Sequence, residues 1–365
     1  MLLARRNLFR DRTRFVLSVL GVAVSVGLIL LLAGYRAGVY RQASAYLDNT
    51  PGSVVVAEQG IRDFLGTSSV LPPGALEAVR STPGVDRVIP VISSFVIFER
   101  HERKDGFFLI GYDPAAGGGP WRLVEGREPT ADDDLVIDRT TARQHEIAIG
   151  DLVTLLDREA TVVGLSEETT FWAGSIAFAR AATLESLLRS PGLRSFLLVS
   201  PAQGTSAEGL VDQLDLAGTE VLLKRDVIAN DARLMARVYD APIGLMVAIA
   251  FVVGVLVVGL VIYTATIERR REYGAVKAIG ARNRTLYRVV TTQALIAAVV
   301  GALVGIGLAY GAGAALMSWR PQFLVAIEPT VIGVVLASSL VMALLAALIP
   351  ARSVARLEPA EVFRG

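Results

Sequence analysis

IYTATIERRREYGAVKAIGARNRTLYR, residues Ile262–Arg288, is a basic segment between two long apolar runs. The apolar run Pro242–Ile267, whose last six residues begin this segment, and the run after it, Val289–Trp319, contain no charged residue. Each exceeds the roughly 20 residues that a helix needs to cross the bilayer core. Short loops rich in Lys and Arg stay in the cytoplasm. The sequence therefore predicts a cytoplasmic loop between two membrane-spanning helices.

A short amphipathic helix is predicted within this loop, over Arg271–Ala281. Tyr273, Val276 and Ile279 recur at i, i+3 and i+6, which forms an apolar stripe between charged flanks. Gly280 can end the helix in a left-handed conformation. The spacing alone leaves two interpretations open, a helix that docks on another protein and a helix that lies on the lipid surface.

Two stretches carry a resemblance to a known family: Arg270–Glu272, Gly274 and Lys277–Ala281 in the loop, and Ile349–Arg352 with Leu357–Arg364 near the end of the sequence. The first resembles the signature between the second and third spans of FtsX/MacB-type ABC transporter permeases, a four-span (type VII) family, and the second is similar to that family's C-terminal tail. The resemblance implies that the loop docks onto a separate ATPase subunit and transmits its motion. It assigns this ATPase coupling to Arg270, Arg271, Glu272, Tyr273, Val276, Lys277, Ile279 and Gly280.

Composition agrees with a membrane protein. Hydrophobic residues make up 53% of the 365 residues, and cysteine is absent, which excludes disulfides and cysteine metal sites. The net charge of +1 hides a segregation: residues 36–240 hold 20 of the 36 basic and 29 of the 35 acidic residues. The remainder is strongly basic, so we expect it beside anionic lipid on the cytoplasmic side.

The apolar runs predict an α-helical membrane protein with four transmembrane helices and a large α+β extracytoplasmic domain inserted between the first and second. The spans are predicted at 15–35, 241–267, 289–317 and 329–349. Residues 1–14 are predicted as a cytoplasmic amphipathic helix that is not cleaved as a signal peptide. The other segments are the outer domain with its stalk at 36–240, the coupling loop at 268–288, a short outer loop at 318–328 and a cytoplasmic tail at 350–365.

The outer region reads as α+β because short β-branched or aromatic runs alternate with helical ones. Strands are predicted at Ser53–Ala57, Val85–Val91, Phe95–Glu99, Phe107–Ile110, Leu135–Ile137, Leu152–Leu155, Thr161–Leu165 and Phe196–Ser200. Helices are predicted at Pro73–Ser81, Thr140–His145, Ala181–Ser190, Ala207–Leu214 and, as a stalk, Arg225–Tyr239. Gly111–Pro120 is predicted to be a flexible loop. Val124–Arg127 and Thr161–Leu165 resemble the family's outer domain, and Gly111–Pro114 has a local similarity to DevC-like exporters.

Motifs for catalysis or metal binding are incomplete. His101-Glu102 and His145-Glu146 each lack the second histidine at i+4 that a zinc-protease helix needs. The acidic run Asp132–Asp134 reads as a solvated loop rather than a cation site, because hard cations need ligands from spaced positions. No GxxxxGK[ST] occurs in the sequence, so this chain is predicted to bind no ATP by a P-loop. It is therefore not expected to be an enzyme or to hold a cofactor; ATP and Mg are expected on the partner ATPase.

A ridge of small residues in the third predicted span includes Gly301 and Gly305, which have GxxxG spacing. Such a ridge lets another helix approach closely, and packing among the four spans is at least as favoured as a dimer contact. No charge interrupts the centre of any span, which disfavours an ion-coupled carrier.

The resemblance implies a bacterial inner-membrane permease with both termini in the cytoplasm, working as a homodimer with two ATPase subunits. Members often work with a periplasmic adaptor or membrane fusion protein, and no nucleic acid partner is expected. The predicted function is export or extrusion of a substrate driven by the partner ATPase. The alternatives are an FtsX-like signalling subunit that regulates an extracytoplasmic hydrolase without transport, and a scaffold or receptor without an ATPase. The substrate is not identified by any motif.

Overall fold

The computed structural model describes residues 12–100, 103–171, 174–268, 270–279 and 281–355. The predicted helix at 1–14 therefore falls almost wholly outside the described residues, as do Gly280, His101-Glu102 and the tail beyond residue 355. Contacts divide the chain into two compact units. The helical unit comprises Met1–Ala37, Tyr239–Trp319 and Val325–Gly365, and the sheet unit comprises Gly38–Val238 and Arg320–Leu324.

Helices occur in both units. In chain order the described helices are α1 (Arg12–Asn49), α2 (Ala75–Ser81), α3 (Arg139–Gln144), α4 (Ala181–Leu187), α5 (Ala207–Gln213), α6 (Lys224–Glu268), α7 (Arg270–Ala278), α8 (Asn283–Trp319) and α9 (Pro329–Ala355). Local capping explains where two of the short ones begin. Asp138 accepts a hydrogen bond from Thr140 N at the start of α3, and Ser206 accepts one from Gly209 N at the start of α5.

Four helices of the described chain, α1, α6, α8 and α9, are long and apolar enough to cross a membrane. They extend beyond the predicted spans: α1 continues from residue 35 to Asn49, and α6 already begins at Lys224. The predicted stalk at Arg225–Tyr239 is thus the first part of α6. Hydropathy marks only the apolar part of such a helix. The helix itself continues into the polar residues before or after that part, because they too are compatible with helix.

Small residues let the helices of the helical unit approach closely. A Cβ on Gly254 of α6 would lie 2.6 Å from the Met342 sulfur of α9. A Cβ on Gly21 of α1 would lie 2.9 Å from Val257 of α6. Branched apolar side chains and alanines fill the remaining interior, as expected for helices that associate through van der Waals packing in lipid.

The sheet unit contains one mixed sheet. The described strands are β1 (Val54–Glu58), β2 (Val85–Arg100), β3 (Arg103–Tyr112), β4 (Leu123–Gly126), β5 (Asp134–Asp138), β6 (Leu152–Leu155), β7 (Arg158–Ser166), β8 (Thr170–Phe171), β9 (Gly174–Arg180), β10 (Phe196–Pro201) and β11 (Thr219–Leu223). Their order is β11-β1-β10-β2-β3-β9-β5-β7-β4, with β6 beside β2 and β7 and β8 beside β9. The β3–β9 and β5–β7 pairs are parallel.

Both faces of the sheet are buried over its centre. Phe107 and Leu109 of β3 enter one core, and Phe108 and Ile110 enter the other, because successive strand residues point to opposite faces. Tyr46 from α1 covers the second of these faces. The α+β prediction for this region is therefore correct in kind.

The structure corrects several predicted strands. Val85–Val91 and Phe95–Glu99 belong to one strand, β2, because Ser93 and Ser94 pair with Ile110 and Leu109 of β3 and continue the ladder. The prediction missed β4, β8, β9 and β11, which are short or rich in small residues. The predicted loop Gly111–Pro120 begins two residues too early, because Gly111 and Tyr112 end β3 and pair with Ile92 and Val91 of β2. In the part that follows β3, Gly118 O accepts a hydrogen bond from Tyr46.

Lys224 stabilises the end of α1 within the sheet unit. Its ammonium donates to Leu47 O at 3.0 Å and Thr50 O at 2.9 Å. These carbonyls belong to the last turn of α1 and its end, where a helix has no internal donors for them. Burial lowers the pKa of Lys224, although nearby Asp48 opposes that change.

Candidate functional site

The predicted coupling segment forms the helix α7, Arg270–Ala278, between the two long helices α6 and α8. Glu272 lies in its first turn and Lys277 in its last turn. Both charges oppose the helix dipole and so stabilise a helix of only nine residues. Arg270 begins the helix, but its side chain lies outside the described part of the structure.

The end of α7 has the hydrogen bonding of a helix stop. Ile279 N donates to Ala275 O at 3.1 Å, and Ala281 N donates to Val276 O at 3.2 Å. The second bond spans five residues, which is the outer bond of a Schellman cap. Gly280, predicted as the left-handed residue of this cap, is itself outside the described residues.

Tyr273 is buried, which corrects the predicted stripe. Its side chain is 7% exposed and packs in a small apolar cluster with Leu286 and Val289 of α8. Tyr273, Val276 and Ile279 therefore do not present one common apolar surface. The periodicity could not reveal this, because the residues that cover Tyr273 belong to the next helix. Tyr273 fastens α7 to the chain that follows it.

The surface that α7 exposes is a different stripe. Glu272, Val276 and Ile279 are exposed and recur at i, i+4 and i+7, so they lie on nearly the same side of the helix. Val276 is 38% exposed and Ile279 is 88% exposed. Arg271 is exposed beside this stripe, and Lys277 is half-buried. Two apolar side chains between opposite charges form a small surface on which a protein groove or a lipid surface can pack.

The two predicted packing glycines contact the chain's own first helix. A Cβ on Gly301 would lie 2.6 Å from Val22 Cβ, and one on Gly305 would lie 2.7 Å from Ala23 O and 2.9 Å from Val26 Cβ. These glycines are thus sites of close approach between α8 and α1, the intramolecular alternative in the sequence analysis. By contrast, apart from the adjacent residues and nearby backbone of α8 itself, no atom of the described residues lies within 4 Å of a Cβ built on Gly307 or Gly311.

The other chemical candidates have structural partners. His145 Nε2 lies 2.9 Å from Asp105 Oδ2, and its ring meets Phe98 edge-on at 5.0 Å between centroids. Asp132 forms an ion pair with Arg180 at 3.2 Å. Among the described residues no group of three or more His, Cys, Asp and Glu side chains is arranged to hold a metal ion.

Asp134 corrects the expectation that the whole acidic run is solvated. It is buried and accepts two hydrogen bonds from Arg127, at 2.5 and 3.0 Å, and further ones from the Thr130 and Ala131 amides at 2.8 Å. Burial by itself would raise the pKa of Asp134, but these hydrogen bonds together hold it below its ordinary value. Asp134 is a structural carboxylate that fixes the turn before β5.

Four candidate membrane helices, a mixed sheet unit and a short exposed helix between the second and third of those helices define the architecture of a multi-pass membrane protein. Residues 15–217 match the family model for the MacB-like periplasmic core domain, and residues 244–359 match that for the FtsX-like permease C-terminal region. The chain belongs to the MacB/FtsX-like family of ABC transporter permeases.

The chain is also similar to several named proteins and to one solved structure. An uncharacterized ABC transporter permease of Mycobacterium tuberculosis (strain CDC 1551 / Oshkosh) is 26% identical over 99% of both chains. The macrolide export ATP-binding/permease protein MacB of Agrobacterium fabrum is 24% identical over 99% of this chain and 60% of its own length. A crystal structure of the periplasmic region of MacB from Actinobacillus actinomycetemcomitans aligns with 49% of this chain and 92% of its own, at 14% identity and a TM-score of 0.38.

Proposed function

We propose that this chain is the membrane subunit of an ABC transporter that exports a substrate using ATP hydrolysed by a separate subunit. The exposed stripe of α7 carries the proposal, because it places Ile279, 88% exposed, on a short basic segment between two membrane helices. An isoleucine exposed to that degree beside charged residues fits an interface whose other half is a second protein. The partner is an ATPase subunit with an apolar groove and charges that complement Glu272 and Lys277.

The names of relatives support a permease chain that works with a separate ATP-binding chain. Relatives that this chain matches over about 60% of their length are named ATP-binding/permease proteins for macrolide export, and another is named for pyoverdine export. The present sequence contains no P-loop, and relatives matched over 99% of their length are named permeases. We therefore assign the permease role to this chain and the ATP-binding role to another polypeptide. A second copy of the chain and a periplasmic adaptor are part of the same proposal.

Charge supports the topology. The basic residues outside 36–240 face the cytoplasm in this proposal, and the acidic sheet unit lies outside, inserted between the first and second spans of an inner-membrane protein. Motion of the ATPase subunits would reach α7 first. Because Tyr273 ties α7 to α8, that motion would pass to the membrane helices and then to the outer unit.

The test is recovery of the ATPase with purified chain. Tagged chain is isolated from its native host, and copurified nucleotide-binding protein is labelled with 8-azido-ATP. Ile279→Asp and Val276→Asp should each reduce recovery about tenfold or more, since truncating a central interface anchor commonly costs about 2 kcal/mol. Ile149→Asp, which changes an exposed isoleucine of the sheet unit, is the matched control.

Unchanged recovery with both α7 variants would contradict docking and leave α7 as a lipid-surface helix. Substrate-dependent stimulation of the recovered ATPase separates export from signalling. A transporter should show it, whereas an FtsX-like subunit should respond to its extracytoplasmic hydrolase instead. Hydrolysis by the purified chain alone, above a contaminant control, would contradict the assignment of ATP binding to a partner.

A further inference from the structure

The sheet unit contains a cavity of about 350 Å³ between the loop that follows β1 and one face of the sheet. Its buried wall is aromatic: Phe64 comes from the loop, Phe108 from β3 and Phe171 from β8. Phe64 and Phe108 meet edge-on at 5.8 Å, and Phe108 and Phe171 lie 6.0 Å apart between ring centroids. An aromatic surface of this kind favours a flat apolar ligand, because rings pack well edge-on or offset.

Phe95 lies at the rim, where it is 56% exposed. Its ring lies over Gly106 of the neighbouring strand, and a Cβ at Gly106 would overlap the ring. The glycine therefore allows an aromatic side chain to lie against the β3 backbone while one face stays open. Because Gly106 lets the Phe95 ring rest against the strand, ligand binding does not have to immobilise this side chain, and the conformational entropy lost on binding is smaller.

Hydroxyl groups supply the polar part of the lining. Thr67 and Ser68 come from the loop and Ser93 from β2; Ser94 also borders the cavity, but its side chain points to the opposite face of the sheet, as that of its partner Leu109 does. The described residues that line the cavity include no charged side chain. A charged ligand would lose hydration there without gaining an ionic partner, whereas an uncharged one can exchange hydrogen bonds with hydroxyl groups and pack on the rings.

The loop wall is held in place from behind by α6. Asp231 Oδ1 accepts hydrogen bonds from Phe64 N at 3.0 Å and Leu65 N at 3.1 Å. Asn230 Nδ2 donates to Arg62 O at 2.7 Å. Phe64 also stacks on Tyr46, with ring centroids 5.1 Å apart. Because the loop is fixed by backbone hydrogen bonds and ring packing, the cavity is formed before any ligand binds.

We propose that this cavity binds an uncharged amphipathic small molecule, with an aromatic or alicyclic ring against the phenylalanines and hydroxyl or carbonyl groups toward the serines and threonine. Its volume lies near the lower end of the roughly 300–1,000 Å³ found for small-molecule sites. It therefore accommodates a single ring system or one edge of a larger molecule. The site lies wholly within the sheet unit and does not depend on ATPase docking.

Photolabelling of the full chain in lipid nanodiscs tests the site. The probe is 4-benzoylbenzyl alcohol, a neutral molecule with two rings and one hydroxyl. On irradiation its ketone abstracts hydrogen from a nearby C–H and the two radicals combine, so the ketone becomes a tertiary alcohol bonded to the protein. We expect saturable labelling in peptides that contain residues 64–68 and 93–95. Excess 4-benzylbenzyl alcohol, which lacks the photoreactive ketone, should suppress it, and the matched anion 4-benzylbenzoate should not.

Variants of the lining separate the site from general lipid partitioning. Phe95→Ala should weaken saturable labelling about five- to tenfold, since it removes one ring contact. Ile97→Ala, on the same strand and face and also exposed, is the matched control and should change nothing. Ser93→Leu should block the cavity, whereas Ser93→Ala preserves its volume and should retain labelling.

Three results would each overturn the proposal. The first is labelling confined to the membrane helices and not saturable, which would mean that the probe only partitions into lipid. The second is equal competition by the anion, which would refute the assignment of an uncharged ligand. The third is an equal effect of Phe95→Ala and Ile97→Ala.

Discussion

Arg36 and Asp240 form a two-bond ion pair that joins α1 to α6 within the helical unit. Arg36 Nε donates to Asp240 Oδ1 at 2.6 Å and Arg36 Nη2 donates to Asp240 Oδ2 at 2.9 Å. The neighbouring residues Tyr35 and Tyr239 meet edge-on, with ring centroids 6.4 Å apart. Two adjacent contacts therefore fasten these helices at one level.

Breaking this ion pair should lower thermal stability by a small amount. Both side chains are more than a third exposed, so Arg36→Gln or Asp240→Asn should each cost about 1 kcal/mol, within the range of two-bond surface pairs. The double variant Arg36→Gln with Asp240→Asn should lose little more than either single variant, because the first substitution already breaks the pair. Thermal unfolding of all four forms in one detergent measures the coupling. Additive losses in the double variant would show that the two charges do not interact.

Asp231 should make the stability of the sheet unit depend on pH. Burial raises the pKa of Asp231 to about 7, Asp63 adds to that change, and the hydrogen bonds from the Leu65 and Phe64 amides oppose it. Because the folded pKa lies above the unfolded one, the folded form binds the proton more strongly. Stability is therefore greatest below about pH 4 and decreases as the pH rises to about 7.

Asp231→Asn should remove that dependence. Between pH 5 and pH 8 its free energy of unfolding should rise relative to the parent chain by about 3 kcal/mol, which is the linkage expected for this change in pKa. Pulse proteolysis in urea at the two pH values measures it. Asp226→Asn, at an exposed position of the same helix, is the control and should follow the parent. Parallel pH curves for Asp231→Asn and the parent would show that Asp231 does not titrate in this range.

Even the smallest side chain at position 305 should lower the thermal stability of the chain. Gly305→Ala places a methyl group against Ala23 O and Val26, and overpacking of this kind costs about 1–3 kcal/mol. Gly307→Ala is the matched control on the same helix, because the described residues leave space there. Thermal unfolding of the detergent-solubilised chain should separate the two. If Gly307→Ala destabilises more than Gly305→Ala, the contact that matters for α8 is made with another molecule.

Tyr273→Ala should detach α7 from α8. The chain has no cysteine, so Leu286→Cys introduces a single thiol at a position that is 2% exposed and lies against Tyr273. Truncating a buried aromatic side chain costs about 3 kcal/mol, so labelling of that thiol by a water-soluble maleimide should accelerate by about tenfold or more. Tyr273→Phe should keep the slow rate. Equal rates for the two variants would show that Tyr273 does not cover Leu286.

Local signals made much of the fold predictable. Runs of β-branched residues placed β1, β6 and β7 to within a few residues, since strands of this composition favour extended backbone wherever they pair. The long apolar runs likewise placed the four candidate membrane helices. By contrast, Gly174–Arg180 contains small residues that predict nothing locally, and it becomes a strand because β3 offers it a parallel partner.

The candidate site shows the same limit. The sequence predicted that a short helix would lie between the second and third long helices, and α7 occupies that position. The direction in which Tyr273 faces depended on Leu286 and Val289, which lie beyond the helix and its cap. The cavity beside Phe64 was not predicted at all. Its walls come from separate strands and a loop, and they become neighbours only through the sheet order.

The short loop between α8 and α9 has a further consequence for how such proteins can be recombined. Residues Arg320–Leu324 belong to the sheet unit, where Gln42 of α1 donates to Gln322 O at 3.0 Å and to Thr170 Oγ1 at 3.1 Å. A Cβ at Gly38 would overlap the Leu324 carbonyl oxygen. The loop and α1 are thus matched in shape although far apart in sequence. A chimera that exchanges the sheet unit between two relatives must therefore transplant residues 320–324 together with residues 38–238, because the residues that fold as this unit are not contiguous in the sequence.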